Sequence, residues 1–331
     1  MNHILFIGCG SWGGALGLVL AKKGESVTMW HRNPEIVDQL TQSRQHYLVP
    51  SLTFPESVQF TSNLSDALMN ASVVIIAIPS QSIREMLEAN KVDFNANQII
   101  VNVCKGIEID SLLTVSGVIS DVLGDSFKQI VTLSGPSHAE EVIDGHPTTL
   151  VSASSSTEAA SKIQHLFSTE ELRTYSNRDI LGVEFGGSMK NVIAIAAGIC
   201  DGIGFGDNTK AALLTRGIAE ISRLGVKIGA NPSTFNGLSG VGDLIVTCLS
   251  KHSRNRRVGQ AIGEGRSLDN ILDEMQMIAE GVKSAKSVHQ LRLKHDVSMP
   301  ICEAVYQVLF KGKDPKQSVT DLMTRELRTE V

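Results

Sequence analysis

The sequence predicts an α/β fold: a doubly wound parallel sheet followed by an all-helical domain. Three observations carry that prediction. Short apolar runs alternate with helical stretches up to Tyr175. The first run breaks into glycines spaced Gly-x-Gly-x-x-Gly and continues as a helix. After Tyr175 strand signals nearly vanish and the apolar spacing becomes helical. Alternating strands and helices build a sheet covered on both faces, whereas a period of about 3.6 residues marks helices.

A chain of 331 residues exceeds what one core usually holds, so two domains are expected, 1–180 binding a dinucleotide and 181–331 a substrate. Hydrophobic content of 42% and charged content of 20% describe an ordinary globular protein. A net charge of −5 argues against a nucleic-acid partner. The five cysteines (Cys9, Cys104, Cys200, Cys248 and Cys302) are scattered, as in a cytoplasmic protein with reduced thiols. No histidine stands at ligand spacing with another histidine or a cysteine, so no metal is expected. The N-terminus has no basic leader, and no apolar run is expected to approach the ~20 residues of a membrane span.

Residues 3–7 read as a buried parallel strand, broken by Gly8, Gly10 and Gly13 around Ser11 and Trp12, then a helix to residue 23 and a strand over 25–30. Glycines in that context permit a tight turn, close approach of a pyrophosphate, and packing of the helix on the strand. This is the Rossmann-type arrangement, with the helix N-terminus facing the anion. The second strand exits at His31-Arg32, where an NAD-specific site would carry an acid. A guanidinium welcomes a 2′-phosphate, so NADP(H) is favoured, with NAD(H) as the alternative.

Strands over 73–78, 99–104 and 130–133 deliver Pro79-Ser80, Lys105-Gly106 and Ser134-Gly135-Pro136-Ser137-His138 at their exits. Ligands of doubly wound sheets collect beyond those ends, which places Lys105, Gly135 and Ser137 at the rim. A short helix follows over 139–143, then strands over 148–153 and 172–175 flanking a helix over 157–167. His138, His146 and His165 read as surface or capping residues.

A long helix from Gly182 to Gly206 gathers Gly186, Gly187, Lys190, Ala194, Ala197 and Asp201 on one face, with Asn191 and Gly198 at its edge. A lysine among nearly absent side chains predicts that something else lies against that face. Helices are expected over 208–226, 268–277, 281–294, 300–310 and 315–325. A glycine-rich approach (237–242) brings Asp243 to a helix start, where capping alone would explain it. A basic loop over 250–257 holds Ser253, Arg254 and Asn255, a candidate fork for a phosphate. Glu280 begins another helix, where the dipole favours an acid.

Together these residues resemble, end to end, the bacterial NAD(P)-dependent sn-glycerol-3-phosphate dehydrogenases. The matching strings are Gly-Cys-Gly-Ser-Trp-Gly (8–13), Cys-Lys-Gly-Ile (104–107), Ser-Gly-Pro-Ser-His-Ala (134–139), Met-Lys-Asn-Val (189–192), Gly-Val-Gly-Asp-Leu (240–244), Arg-Asn-Arg (254–256) and Ala-Glu-Gly (279–281). The resemblance implies that Ser11, Trp12, His31, Arg32, Lys105, Ala139, Arg254, Ile278 and Glu280 touch the dinucleotide. It implies that Lys105, Gly135, Ser137, Lys190, Asn191, Asp243, Ser253, Arg254 and Asn255 surround dihydroxyacetone phosphate or sn-glycerol 3-phosphate. Lys190 would be the proton donor or acceptor. It further implies a homodimer supplying glycerol 3-phosphate for phospholipid synthesis.

A free lysine, with a pKa near 10.4, is a poor base at neutral pH. Lys105 nearby is expected to lower that value and to stabilise a developing oxyanion. Asp243 would orient either Lys190 or a substrate hydroxyl. Two other readings are a reductase of 3-hydroxyacids or ketopantoate, which would need no phosphate fork, and a non-catalytic NADP sensor, which would need no lysine on a bare helix face.

Overall fold

Apolar runs separated by helices do form one sheet in the computed structural model, which describes residues 3–275, 278–327 and 329. Its first part comprises β1 (His3–Ile7), α1 (Ser11–Lys22), β2 (Ser26–Trp30), α2 (Pro34–Ser43), β3 (Gln59–Thr61), α3 (Leu64–Asn70) and β4 (Val73–Ile76). Then come α4 (Ile83–Ala89), β5 (Ile99–Asn102), α5 (Val115–Leu123), β6 (Ile130–Ser134), α6 (Ala139–Ile143), β7 (Thr148–Ala153), α7 (Thr157–Phe167) and β8 (Leu172–Asn177). The strand order is β3-β2-β1-β4-β5-β6-β7-β8. β4 and β5 are buried at every position because helices cover both faces of the sheet. The order reverses between β1 and β4, and that reversal opens the crevice used by ligands in such sheets.

The sheet departs from the expected all-parallel form at one place. β7 runs antiparallel to β6, pairing Leu133 with Ser152. The chain between them does not cross the sheet face. It packs α6 on α1, with Ala139 and Val142 against Ala15, so β7 returns in the opposite sense. The short β3 and the helices α2, α3 and α5 were not anticipated.

The second layer is built on α8 (Ile180–Ile203). Asp179 caps it by accepting from the Gly182 amide at 2.9 Å, and Gly204 ends it in the left-handed region. α8 is buried from Gly182 to Cys200, as expected of a helix apolar nearly all round. By length and composition it could cross a membrane, contrary to the expectation that no run is long enough; here it is the axis of the helical core.

Around α8 pack α9 (Asp207–Lys227), α10 (Asp243–Leu249), α11 (Arg254–Gly263), α12 (Leu268–Asp273), α13 (Glu280–Lys294), α14 (Pro300–Lys311) and α15 (Pro315–Met323). The second half of the basic segment (254–257) is therefore helical and only 250–253 form a loop, because Ser253 caps α11 by accepting from the Arg256 amide at 3.2 Å. The helix expected over 268–277 ends at Asp273, and Gln276 and Met277 lie outside the described residues.

What lies against much of the small-residue face of α8 is protein. A Cβ on Gly198 would fall 1.9 Å from the Arg256 carbonyl oxygen, and one on Gly259 2.0 Å from that of Ile195. α8 and α11 thus cross backbone to backbone, a distance only glycine permits. The crossing brings the start of α11 beside Asn191. Near its other end α8 is tied to the sheet through Glu184. This buried carboxylate accepts from Asn102 Nδ2 (2.8 Å), Thr132 Oγ1 (2.8 Å), the Ser116 amide (2.9 Å) and Ser116 Oγ (2.5 Å). Four donors offset the cost of burying the charge and set the rotation of α8 over β5 and β6.

Candidate active site

Three charged side chains meet where α8 passes the sheet rim. Lys190 stands six residues beyond Glu184 on α8, Lys105 three residues past β5, and Asp243 at the start of α10. Lys190 Nζ donates to Asp243 Oδ1 at 2.5 Å, and Lys105 Nζ donates to Asp243 Oδ2 at 2.7 Å. One carboxylate, with its side chain only 1% exposed, therefore bridges two amines. Lys105 also donates to the Gly135 carbonyl at 3.0 Å, and Ser137 Oγ donates to the same oxygen at 2.9 Å. Gly187 leaves room here, since a Cβ would press on Ser134 Oγ and lie beside the Lys105 stem.

The electrostatics favour proton exchange at Lys190. Its pKa is lowered to about 8, chiefly by burial. Asp243 pulls it up and Lys105 pushes it down. The second lysine thus acts in the expected direction, but burial is the larger cause. An amine poised near neutrality can give or take a proton at working pH.

The candidate phosphate fork divides into parts with different work. Ser253 Oγ caps α11. Asn255 Nδ2 donates to Asn191 Oδ1 at 2.9 Å, and its Oδ1 accepts from the Gly281 amide at 2.9 Å. Asn191 and Asn255 therefore join α8, α11 and α13 internally. Arg254 has no hydrogen bond or ion pair to any described residue. Its guanidinium is half-buried, and burial holds its pKa below the usual arginine value against the pull of Glu140 and Glu280. Of the fork, Arg254 is the cation with no hydrogen bond or ion pair to a described residue, while the Ser253 hydroxyl and the second Asn255 Nδ2 hydrogen are also not committed by the bonds above.

The residues expected to hold a dinucleotide stand at strand exits and at or near helix starts. Gly8 adopts a φ of +107°, where a Cβ would fall 2.6 Å from the Ala77 carbonyl oxygen, so β1 turns tightly into α1. Gly10 sits at the N-cap of α1 with no side-chain cap, and no acid stands in the first turn. Ser11, Trp12 and Gly13 follow within that turn, so their amides suit an anion. The residues present thus fit a pyrophosphate. Arg32 is exposed at the exit of β2 without a described partner, beside His31, whose Nε2 faces Tyr47 Oη at 3.4 Å. Ala139 begins α6 close to Trp12, and Ile278 is 44% exposed. Glu280 reaches across from α13 to the exit of β4, accepting from the Ser80 amide (3.2 Å) and Ser80 Oγ (2.8 Å).

Comparison with known proteins matches both layers. Residues 3–160 match the profile described as NAD-dependent glycerol-3-phosphate dehydrogenase N-terminus, and residues 179–320 match that of its C-terminus. The chain belongs to the NAD-dependent glycerol-3-phosphate dehydrogenase family. It is 50% identical over 330 residues to glycerol-3-phosphate dehydrogenase [NAD(P)+] of Chlorobium phaeobacteroides, covering 99% of each chain. The enzyme of that name from Bacillus subtilis is 48% identical over 98% of this chain and 95% of its own. The crystal structure of glycerol-3-phosphate dehydrogenase from Coxiella burnetii superposes with a TM-score of 0.93 at 35% identity, covering 98% and 99%.

Within this family member the sequence reading overlooked several groups at the site. Thr247 Oγ1 lies 2.5 Å from Lys190 Nζ and donates to the Asp243 carbonyl at 2.6 Å. Its position four residues after Asp243, on the same helical face, was the available signal. His46 donates from Nε2 to the Cys9 carbonyl at 3.1 Å and accepts at Nδ1 from the Leu48 and Val49 amides, bracing the glycine loop. No spacing announces that bond. Ser80 was placed at a strand exit, but its tie to Glu280 joins residues 200 positions apart.

Proposed function

We propose that this chain reversibly reduces dihydroxyacetone phosphate to sn-glycerol 3-phosphate with NAD(P)H, and that the buried Lys190 amine moves the proton. A bound nicotinamide would supply or take up the hydride. In reduction, charge develops on the C2 oxygen of the ketone as hydride arrives. Lys190, as ammonium, gives that oxygen its proton and becomes the amine. In oxidation the amine takes the proton from the C2 hydroxyl. Asp243 and Thr247 hold Nζ in place, so the proton transfer needs little reorganisation. Lys105 adds positive charge beside the developing oxyanion.

Arg254 binds the phosphate, fixing a small substrate by its charged end. Gly135 and Ser137 line the same space, while Ser253, Asn255 and Asn191 hold the start of α11 so that Arg254 faces it. Residues 1–180 carry the dinucleotide and 181–331 most of the substrate contacts. Arg32 favours NADP(H) over NAD(H) through the 2′-phosphate. The product serves glycerophospholipid synthesis, and the enzyme works as a cytoplasmic homodimer.

The observation that carries this reading is the Lys190–Asp243–Lys105 bridge at the sheet rim. NADPH oxidation is measured with dihydroxyacetone phosphate, dihydroxyacetone and 2-ketopantoate in parallel. Turnover confined to the phosphorylated ketone supports the reading. Preference for 2-ketopantoate would replace the substrate, and no turnover with any would leave a binding protein.

A further inference from the structure

Asn102 ends β5 and is fully buried, in register with Ile76 of β4 and Thr132 of β6. A polar side chain inside a sheet must satisfy its own groups, and Asn102 does so in two layers of the fold. Its Oδ1 accepts from the Cys104 amide at 2.8 Å, and Nδ2 donates to the Cys104 carbonyl at 3.3 Å. Nδ2 also donates to Glu184 Oε1 on α8 at 2.8 Å. A carboxylate only accepts, so Glu184 decides which end of the amide is nitrogen.

These bonds complete a closed circuit through the site. Cys104 precedes Lys105, so the Asn102 side chain holds the backbone from which that lysine springs. Its other bond reaches Glu184, the carboxylate that also takes Thr132 and Ser116 and anchors α8 on the sheet. Glu184, Gly187 and Lys190 follow at intervals of three along α8, a spacing that makes neighbours on a helix surface. The Lys105 stem passes over the middle one, where a Cβ on Gly187 would lie 3.7 Å from Lys105 Cγ. Lys105 and Lys190 then meet on Asp243, at 2.7 and 2.5 Å. The two lysines are thus joined at their tips by Asp243. They are joined at their roots by Asn102 and Glu184, 82 positions apart in the chain.

A lysine has a flexible four-carbon stem, so a contact at its tip alone does not place it. We propose that Asn102 is a positioning residue: by tying the Cys104 backbone to Glu184 it places the Lys105 ammonium against Lys190 for reduction of the ketone. The inference rests on the part given to Lys105 in the proposed reaction. Being fully buried, Asn102 acts on the reactants only through Lys105. A misplacement of about 1 Å in such a group costs up to about 10²-fold in rate.

The test measures kcat for dihydroxyacetone phosphate with NADPH in the intact protein, in Asn102→Ala and Asn102→Ser, and in each of these combined with Lys105→Met. Asn102→Ala should lower kcat roughly 10- to 100-fold. Asn102→Ser, whose hydroxyl still accepts from the Cys104 amide but lacks the Nδ2 arm to Glu184, should recover part of that loss and not all of it. Once Lys105 is replaced, neither substitution should lower kcat further by more than about twofold, because the group it positions is gone. Equal losses in both backgrounds would show a purely structural role and overturn the inference, as would an unchanged kcat in either single variant. Should Asn102→Ala not fold, Asn102→Ser by itself completes the cycle under the same criteria. If Lys105→Met alone lowers kcat, such results refute the Asn102 assignment and nothing more. If Lys105→Met leaves kcat unchanged, the reading of Lys105 falls and takes the inference with it.

Discussion

Lys190 Nζ lies 2.5 Å from Asp243 Oδ1, and the second oxygen of that carboxylate holds Lys105 at 2.7 Å. A single buried carboxylate thus holds two cations close together. It raises the Lys190 pKa against burial and fixes the direction in which the amine points. Position and proton affinity are set by the same contact.

Asp243→Asn keeps the shape and removes the charge. The prediction is a kcat lower by roughly 10²–10³-fold, the range seen when a preorganised electrostatic group is lost. Steady-state assays with unchanged NADPH affinity and an unchanged circular dichroism spectrum would locate the defect in chemistry.

The two directions of the reaction should respond oppositely to pH. The Lys190 pKa is depressed from its ordinary value to about 8. Below that pH the ammonium predominates, so ketone reduction is supported and then declines as pH rises through about 8. Alcohol oxidation needs the amine and should climb over the same interval. In Asp243→Asn the inflection should move to lower pH, since the carboxylate that raised the pKa is gone. Profiles of kcat in both directions check the sign.

Arg32→Asp places a carboxylate where a 2′-phosphate would sit. The NADPH-to-NADH ratio of kcat/KM should drop by at least about tenfold, from loss of a charge-assisted bond and gain of repulsion. An unchanged ratio would put Arg32 away from the ribose.

Arg254 and Asn255 are neighbours with separable roles. Arg254→Ala should raise KM for dihydroxyacetone phosphate roughly 10- to 100-fold, the worth of a bond to a charged group, and leave folding stability nearly unchanged. Asn255→Ala strands the buried Gly281 amide and should cost about 1–3 kcal/mol in urea denaturation. If Asn255→Ala affects only KM, its bonds to Asn191 and Gly281 are not what the residue is for.

Much of this was legible because local rules govern it. β1, the glycine loop and α1 follow from an apolar run, a positive-φ turn and a helical period, and strand exits place Lys105 and Gly135 at the rim. The small face of α8 was equally visible, but glycine spacing reports close approach and not what approaches. The occupant along Gly198 is α11. The bonds of Asn255 inside the fold could not be read from sequence because its partners are distant: Asn191 lies 64 positions away and Gly281 lies 26. The direction of β7 depends on α6 docking against α1, which no local pattern records.

Lys190→Ala tests the central claim most directly. The variant should retain NADPH binding, read by fluorescence titration, while kcat for dihydroxyacetone phosphate falls by at least about 10²–10⁴-fold, the usual contribution of a positioned acid or base. Turnover close to that of the unmodified protein, with cofactor binding intact, would contradict it and assign the proton to another group.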